Sequence, residues 1–348
     1  MMDFGEWSLS MQIPIIYLTI CISIPSMTLY IAQIVTIVRH KKFHNSFYAL
    51  FVMRAIPDLL FALNSFYGQR LPFILGVLYP IYSNFPNWML ALHYFLNGHM
   101  YQADNLVTVF ILLNRLTAII MPIKHEKLWK KFLPFITIFV YLVPTFAYWP
   151  AFNMNAIVGL RVPNSTTDRT FFMYESGDAP IDHYMIRIAS VFSIIFLILC
   201  LLINICTFVA YKQHLNRVNI NGNNNGDDIE KKLLIYALVT FLGHALVASF
   251  LITLIGLVND LKARLMFVSY YPLVLDTGTV MLSSWLMLWA SSNFRQQLIK
   301  DFAIIRISIR IGPMEGPQNN NHRAVGRAVG NQLQNRFSSS VQQLPTIS

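Results

Sequence analysis

Long apolar runs, separated by short polar, proline-bearing or basic stretches, recur along the whole chain. Seven runs reach the roughly 20 residues that a helix needs to cross a bilayer core: 13–38, 46–67, 88–120, 132–152, 186–211, 233–258 and 265–290. An eighth, 71–82, is too short to span and carries Pro72, Gly76 and Pro80. It reads as a loop that dips into the interface. No soluble domain fits between the runs, and no internal repeat is visible. The pattern predicts an all-α membrane protein, a bundle of seven transmembrane helices over 13–290, with 1–12 as an extracellular N-terminus.

Beyond the last run, Phe294, Leu298, Phe302, Ile305 and Ile309 recur at helical spacing, with Arg295, Lys300, Arg306 and Arg310 among them. This spacing predicts an amphipathic helix over 291–311 lying on the inner leaflet, ended by Gly312-Pro313; the alternative is a partly ordered tail. The Asn-, Gln- and Ser-rich stretch 312–348 and the polar loop 219–228 lack the apolar residues to order themselves.

Composition sharpens this reading. Charged residues make up 12% of the 348 and apolar ones 55%, against about 25% charged in soluble domains. Too few charges remain to cover a water-facing surface, so the lipid bilayer is the solvent for much of the chain. The net charge of +10 does not point to nucleic acid, because the basic residues come in short clusters between apolar runs rather than on one face. Their positions set the orientation. Arg39, Lys41 and Lys42 follow the first run; Lys124, Lys127, Lys130 and Lys131 follow the third; Lys212, Arg217, Lys231 and Lys232 follow the fifth. The opposite loops hold only Arg70, then Arg161 and Arg169, then Lys262 and Arg264, and residues 1–12 hold no Lys or Arg. The N-terminus is therefore expected outside and the C-terminus inside, in a multi-pass cell-membrane protein whose first span serves as both signal and anchor. The sequon Asn164-Ser165-Thr166 falls in a loop assigned outside, so Asn164 is a glycosylation candidate. Trp7, Trp88, Trp129 and Trp149 lie near span ends, as an aromatic belt does.

Enzyme chemistry finds no support. No phosphate-cradling glycine loop is present. His125-Glu126-Lys127-Leu128-Trp129 begins like a zinc motif but lacks the second histidine, and no Cys/His ligand spacing appears. No catalytic residue, cofactor or metal is expected. Cys21, Cys200 and Cys206 all sit in apolar runs, which argues against a disulfide framework.

Four ionisable residues lie deep in the spans: Arg54, Asp58, Asp104 and Asp276. Each costs about 2.5–3.5 kcal/mol on insertion scales, so they are expected to face the interior and find partners. At about 1.5 Å per residue, the three acids lie near the midplane. They are expected to form one polar cluster that changes its ion or proton occupancy when the bundle rearranges, with Arg54 four residues from Asp58 on the same helical face. The alternative is a static Arg54–Asp58 pair. A small ligand would enter from outside, where His93, Asn97, His99, Tyr101, His244 and Tyr270 are candidates for its contacts. A lone histidine such as His244 is more often a bonded core residue.

Arg115 closes the third run in LLNRLTAIIMPIKH, where a cation can snorkel to the interface. The sequence Asn114-Arg115, Ala118-Ile119, Pro122, Lys124-His125 resembles the segment that ends the third helix of seven-helix G-protein-coupled receptors. Arg54-Ala55-Ile56-Pro57-Asp58-Leu59-Leu60 resembles their second-helix pattern. The stretches NRLTAIIMPIKHEKLWKK, YKQHLNRVN and EKKLLIYALVTF are most similar to nematode serpentine chemoreceptors of class V or class gamma, over about residues 10–300. Departures from the wider receptor class include Asn114 in place of an acid and a seventh span without the Asn-Pro…Tyr signature. The resemblance implies a receptor for a small external chemical, of unidentified structure, that signals to a heterotrimeric G protein, with the sensory cilium as a site of residence. It assigns coupling to Asn114, Arg115, Pro122, Lys124, Lys127, Lys231 and Lys232, and sign and side suggest Glu230 as a resting partner for Arg115. The rival reading is a secondary transporter or ligand-gated channel that uses the intramembrane acids, but the repeats and paired broken helices common in transporters are not seen.

Overall fold

A computed structural model describes residues 4–161, 169–177, 180–221, 227–256 and 270–310. Its frame is seven long helices: α1 (Phe4–Arg39), α2 (Ser46–Ile74), α3 (Asn87–Ile120), α4 (Pro122–Tyr148), α5 (Pro180–Asn221), α6 (Asp227–Gly256) and α7 (Tyr270–Ala290). Six are long and apolar enough to cross a bilayer, and α6 adds the apolar stretch Leu238–Thr253. An eighth helix, α8 (Ser292–Arg310), follows α7 after Ser291. Helix α3 is central and packs on α2, α4, α5 and α6, while α1 lies against α2 and α7. At 34 residues, α3 is about 50 Å long, well beyond the ~30 Å hydrocarbon core. Helix α1 likewise begins at Phe4, so most of the expected 1–12 tail is helical.

Burial follows position in the bundle. The most apolar window of α2 is 61% buried and that of α4 only 17%. The exposed side of α4 presents Phe135, Ile138, Leu142 and Phe146, the surface lipid must cover. The interior is a continuous apolar core that includes Leu50, Phe51, Val107, Ile111, Val140 and Met287.

Local chemistry explains the ends. The Asn45 side chain caps α2 by accepting from the Tyr48 N–H at 3.1 Å. Pro122 opens α4, where its missing N–H costs nothing. Two helices are locally widened: α2 runs from an α-helix (Ser46–Ser65) through a π-turn at Phe66–Arg70, and α7 has another at Thr277–Met281. Such turns are rare and concentrate at functional sites.

The stretch 71–82 departs from the loop expected of it. It forms short helical turns at Leu71–Ile74, Gly76–Leu78 and Tyr79–Tyr82, because the π-turn carries α2 onward. An antiparallel hairpin adds a small sheet to the helical frame: β1 (Ala156–Leu160) pairs with β2 (Phe171–Glu175), Val158 opposite Met173. Its Ala156 and Phe171 pack with Tyr82 and Leu90 to cover that end of the bundle. A hairpin with one apolar face leaves only a few alternating residues, too weak a signal beside helical runs.

Candidate functional site

The side chains with unusual chemistry gather in three places, two within the bundle and one at the end where α3 gives way to α4.

The first is built on Arg54, which is fully buried. Its Nε donates to Asp104 Oδ1 at 2.8 Å and lies 3.7 Å from Asp58 Oδ2. Its Nη2 donates to His244 Nε2 at 2.9 Å, and Thr108 Oγ1 stands 3.2 Å from the same nitrogen. Tyr30 donates to Asp58 Oδ2 at 3.0 Å. Four helices therefore converge on one guanidinium: α2 by Arg54 and Asp58, α3 by Asp104 and Thr108, α6 by His244, α1 by Tyr30. Beside them lies a cavity of about 10 Å³ lined by Asp58, Phe61, Tyr101, Asp104, Leu275 and Thr279, room for about one water.

The second is an ion pair between Arg70 and Asp276, with Ser23 donating to the same carboxylate. This corrects two expectations. Arg70 does not belong to an outer loop: it is 1% exposed, because the π-turn of α2 swings it inward, and its guanidinium lies 4.4 Å from the Phe66 ring centre. Asp276 is bound to Arg70 rather than to the acids around Arg54, so the expected single cluster is divided into two. The sequence signal was available, since Arg70 and Asp276 are a cation and an acid that both need a partner. Arg70 sat past the end of its apolar run, and only the continued helix brings it back.

Between the clusters α6 and α7 touch through glycine. A Cβ on Gly243 would come within 2.9 Å of the Gly278 carbonyl oxygen, and one on Gly278 within 3.1 Å of the Gly243 oxygen. Small residues at such crossings let helix backbones approach closely. Gly243 neighbours His244, and Gly278 lies in the π-turn that begins after Asp276.

The third site lies where the start of α2, the end of α3 and the start of α4 meet. Glu126 accepts from the Ser46 N–H at 3.1 Å and from Ser46 Oγ at 2.8 Å, placing a carboxylate on the positive end of α2. Asn114 is buried and donates to Ser46 Oγ at 3.0 Å. His125 lies 3.1 Å from Thr117 Oγ1, which also accepts from Trp129 Nε1 at 2.8 Å. The failed zinc motif thus supplies a structural junction, a role its spacing did not suggest. Arg115 sits beside it with its guanidinium 3.6 Å from the centre of the Phe47 ring, a cation–π contact. Its expected partner Glu230 and the docking candidate Lys231 lie outside the residues whose side chains are described, as do the sequon at Asn164 and the stretch 312–348. Pro122, Lys124 and Lys127 are exposed, and Lys232 is half-buried.

The ligand candidates scatter. His93 Nδ1 lies 3.2 Å from Asn64 Oδ1, and His99 Nε2 lies 3.0 Å from Tyr141 O and 3.1 Å from Thr145 Oγ1. Both rings are held by neighbouring helices. Tyr101 bonds Ser193 at 2.9 Å and lines the cavity, Asn97 and Tyr270 are half-buried, and His244 belongs to the Arg54 cluster.

Comparison with known proteins meets the same picture. The family model described as Srg family chemoreceptor matches residues 16–298. Curated relatives from Caenorhabditis elegans include serpentine receptor class gamma-5, 26% identical over 136 residues, which are 36% of this chain and 39% of the relative. Serpentine receptor class gamma-16 is 30% identical over 124 residues, 34% of this chain and 38% of the relative. Serpentine receptor class gamma-2 is 24% identical over 142 residues, 39% and 42%. The chain thus matches about two fifths of the length of these relatives.

Proposed function

Because the chain belongs to the Srg family of chemoreceptors, we propose that it binds a small external chemical within its helix bundle and passes the event to a heterotrimeric G protein at the inner end. The observation that carries this reading is that inner end. Arg115 closes α3 over the Phe47 ring, the Ser46–Glu126–His125 junction ties α2 to the start of α4, and Lys124, Lys127, Lys130 and Lys131 stand exposed beside it. A ligand that favours one of two helix arrangements would shift their populations and alter this surface. In this reading Asn114, Arg115, Pro122, Lys124, Lys127, Lys231 and Lys232 form the coupling face, the N-terminus is outside, and the cell membrane, in a sensory cell at its cilium, is the place of action.

The test is a screen of volatile and soluble chemicals on cells carrying the chain, with a calcium or cyclic-nucleotide readout. A response that disappears when the G protein is inactivated, and in Arg115→Ala at matched surface expression, supports the reading. A response that persists as direct current without G protein overturns it in favour of a channel. An epitope tag after Ser348 that antibody reaches on intact cells overturns the orientation.

A further inference from the structure

The Arg54 cluster is charged unevenly, and the geometry says how. A guanidinium only donates hydrogen bonds. With Arg54 Nη2 at 2.9 Å from His244 Nε2, that nitrogen must present its lone pair, so the ring hydrogen sits on Nδ1 and His244 is neutral. The remaining groups are one cation and two carboxyls, all at most 2% exposed. Were both acids ionised, a net negative charge would stand near the middle of the membrane, where uncompensated charge is costly.

The hydrogen bonds show the gap. Arg54 satisfies Asp104 Oδ1 and Tyr30 satisfies Asp58 Oδ2. Asp58 Oδ1 and Asp104 Oδ2 receive no hydrogen bond among the described residues. The two carboxyls flank the same nitrogen, Arg54 Nε, at 3.7 Å for Asp58 and 2.8 Å for Asp104, and both line the one-water cavity. A carboxyl that keeps its proton can donate to a neighbouring carboxylate, and one proton held by the pair brings the cluster to neutrality.

We propose that Asp58 and Asp104 form a proton-binding site, sharing one proton as a carboxyl–carboxylate hydrogen bond while Arg54 balances the remaining charge. The other ionisable groups around the site do not replace this proton. Tyr30 on α1 is a neutral donor to Asp58. Tyr141 on α4 donates to the Met53 carbonyl at 2.9 Å. Cys200 on α5 and Tyr236 on α6 are buried, and a thiol and a phenol are neutral in their ordinary states at pH 7. On α7 only Leu275 and Thr279 reach the cavity, and Asp276 is engaged by Arg70.

The proton comes from the surrounding water and returns to it. A rearrangement that wets the cavity and lets both acids ionise releases one proton, so the packed state holds one more proton than the wetted one. Falling pH then favours the packed state and rising pH the wetted one, by up to tenfold in population per pH unit.

The test is infrared difference spectroscopy on the purified full-length chain in lipid nanodiscs at neutral pH. The expected result is a protonated-carboxyl absorption that shifts in heavy water, disappears in Asp58→Asn, disappears equally in Asp104→Asn and survives in Asp276→Asn. Either single substitution removes it because one carboxylate then balances Arg54 alone. Absence of the band from the unsubstituted chain overturns the proposal without need of any variant. Survival of the band in either Asp58→Asn or Asp104→Asn overturns the sharing.

Discussion

Arg54 and Arg70 are two buried guanidiniums on one helix, and they are served differently. Arg70 meets a single acid, Asp276, with Ser23 completing the carboxylate's shell. Arg54 meets two acids and a histidine. The first is a balanced pair whose parts fix α1, α2 and α7 against one another. The second has one acid in excess and a small cavity beside it. The lesson is that a bundle core can hold a static clamp and a titratable site a few turns apart, with the count of acids per cation deciding which is which.

Removing either cation is expected to have the largest effect. Arg54→Leu strands the Asp58–Asp104 pair and Arg70→Leu strands Asp276; each is expected to cost about 3–5 kcal/mol, read as lost surface expression and a lowered unfolding midpoint. Adding Asp276→Asn to Arg70→Leu should recover most of the loss, since the stranded charge then disappears. Next come the glycines that join the two clusters. Gly278→Leu must push α6 from α7 at the Gly243 backbone. A cost of about 1–3 kcal/mol is expected, measured by thermal unfolding, with Gly243→Ala milder in the same direction.

Two smaller changes serve as controls away from both clusters. Glu126→Gln removes a carboxylate from the start of α2; a loss of about 1 kcal/mol is expected, seen as faster hydrogen exchange in the first turn of α2 with the Arg54 and Arg70 contacts intact. The smallest effect is a pH effect at α8. Burial raises the Asp301 carboxyl, but hydrogen bonds from Gln297 and His40 outweigh it and hold the group below its ordinary value. A depressed folded value means that the contact stabilises fully above the ordinary carboxylate range of about 4 and is lost only as pH falls below it. Protection against hydrogen exchange over 292–301, relative to the intrinsic rate at each pH, should therefore be constant near neutrality and fall only in acid; a loss of protection between pH 8 and 6 would overturn this reading.

Much of the bundle was legible in the runs themselves, because a helix in lipid must be long and apolar over its whole length. The intramembrane charges were equally visible, since Arg54, Asp58, Asp104 and Asp276 interrupt runs in which any charge is costly. Their partners were less so. Arg54–Asp58 follows from helical spacing, whereas Arg54–Asp104 and Arg54–His244 join helices 50 and 190 residues apart. Arg115 was legible as a span-end cation, but its seat over Phe47 depends on how α2 lies against α3.

By itself the amino-acid order determined the number of spans, the basic clustering of alternate loops and the presence of buried charge, all of which follow from local composition against the thickness of a bilayer. The tertiary structure alone decided that Arg70 turns inward to Asp276, that two acids share Arg54, and that Glu126 seats itself on α2. Each of these depends on helix rotation and on π-turns, where a single extra residue per turn redirects every side chain beyond it, and no window of sequence carries that angle.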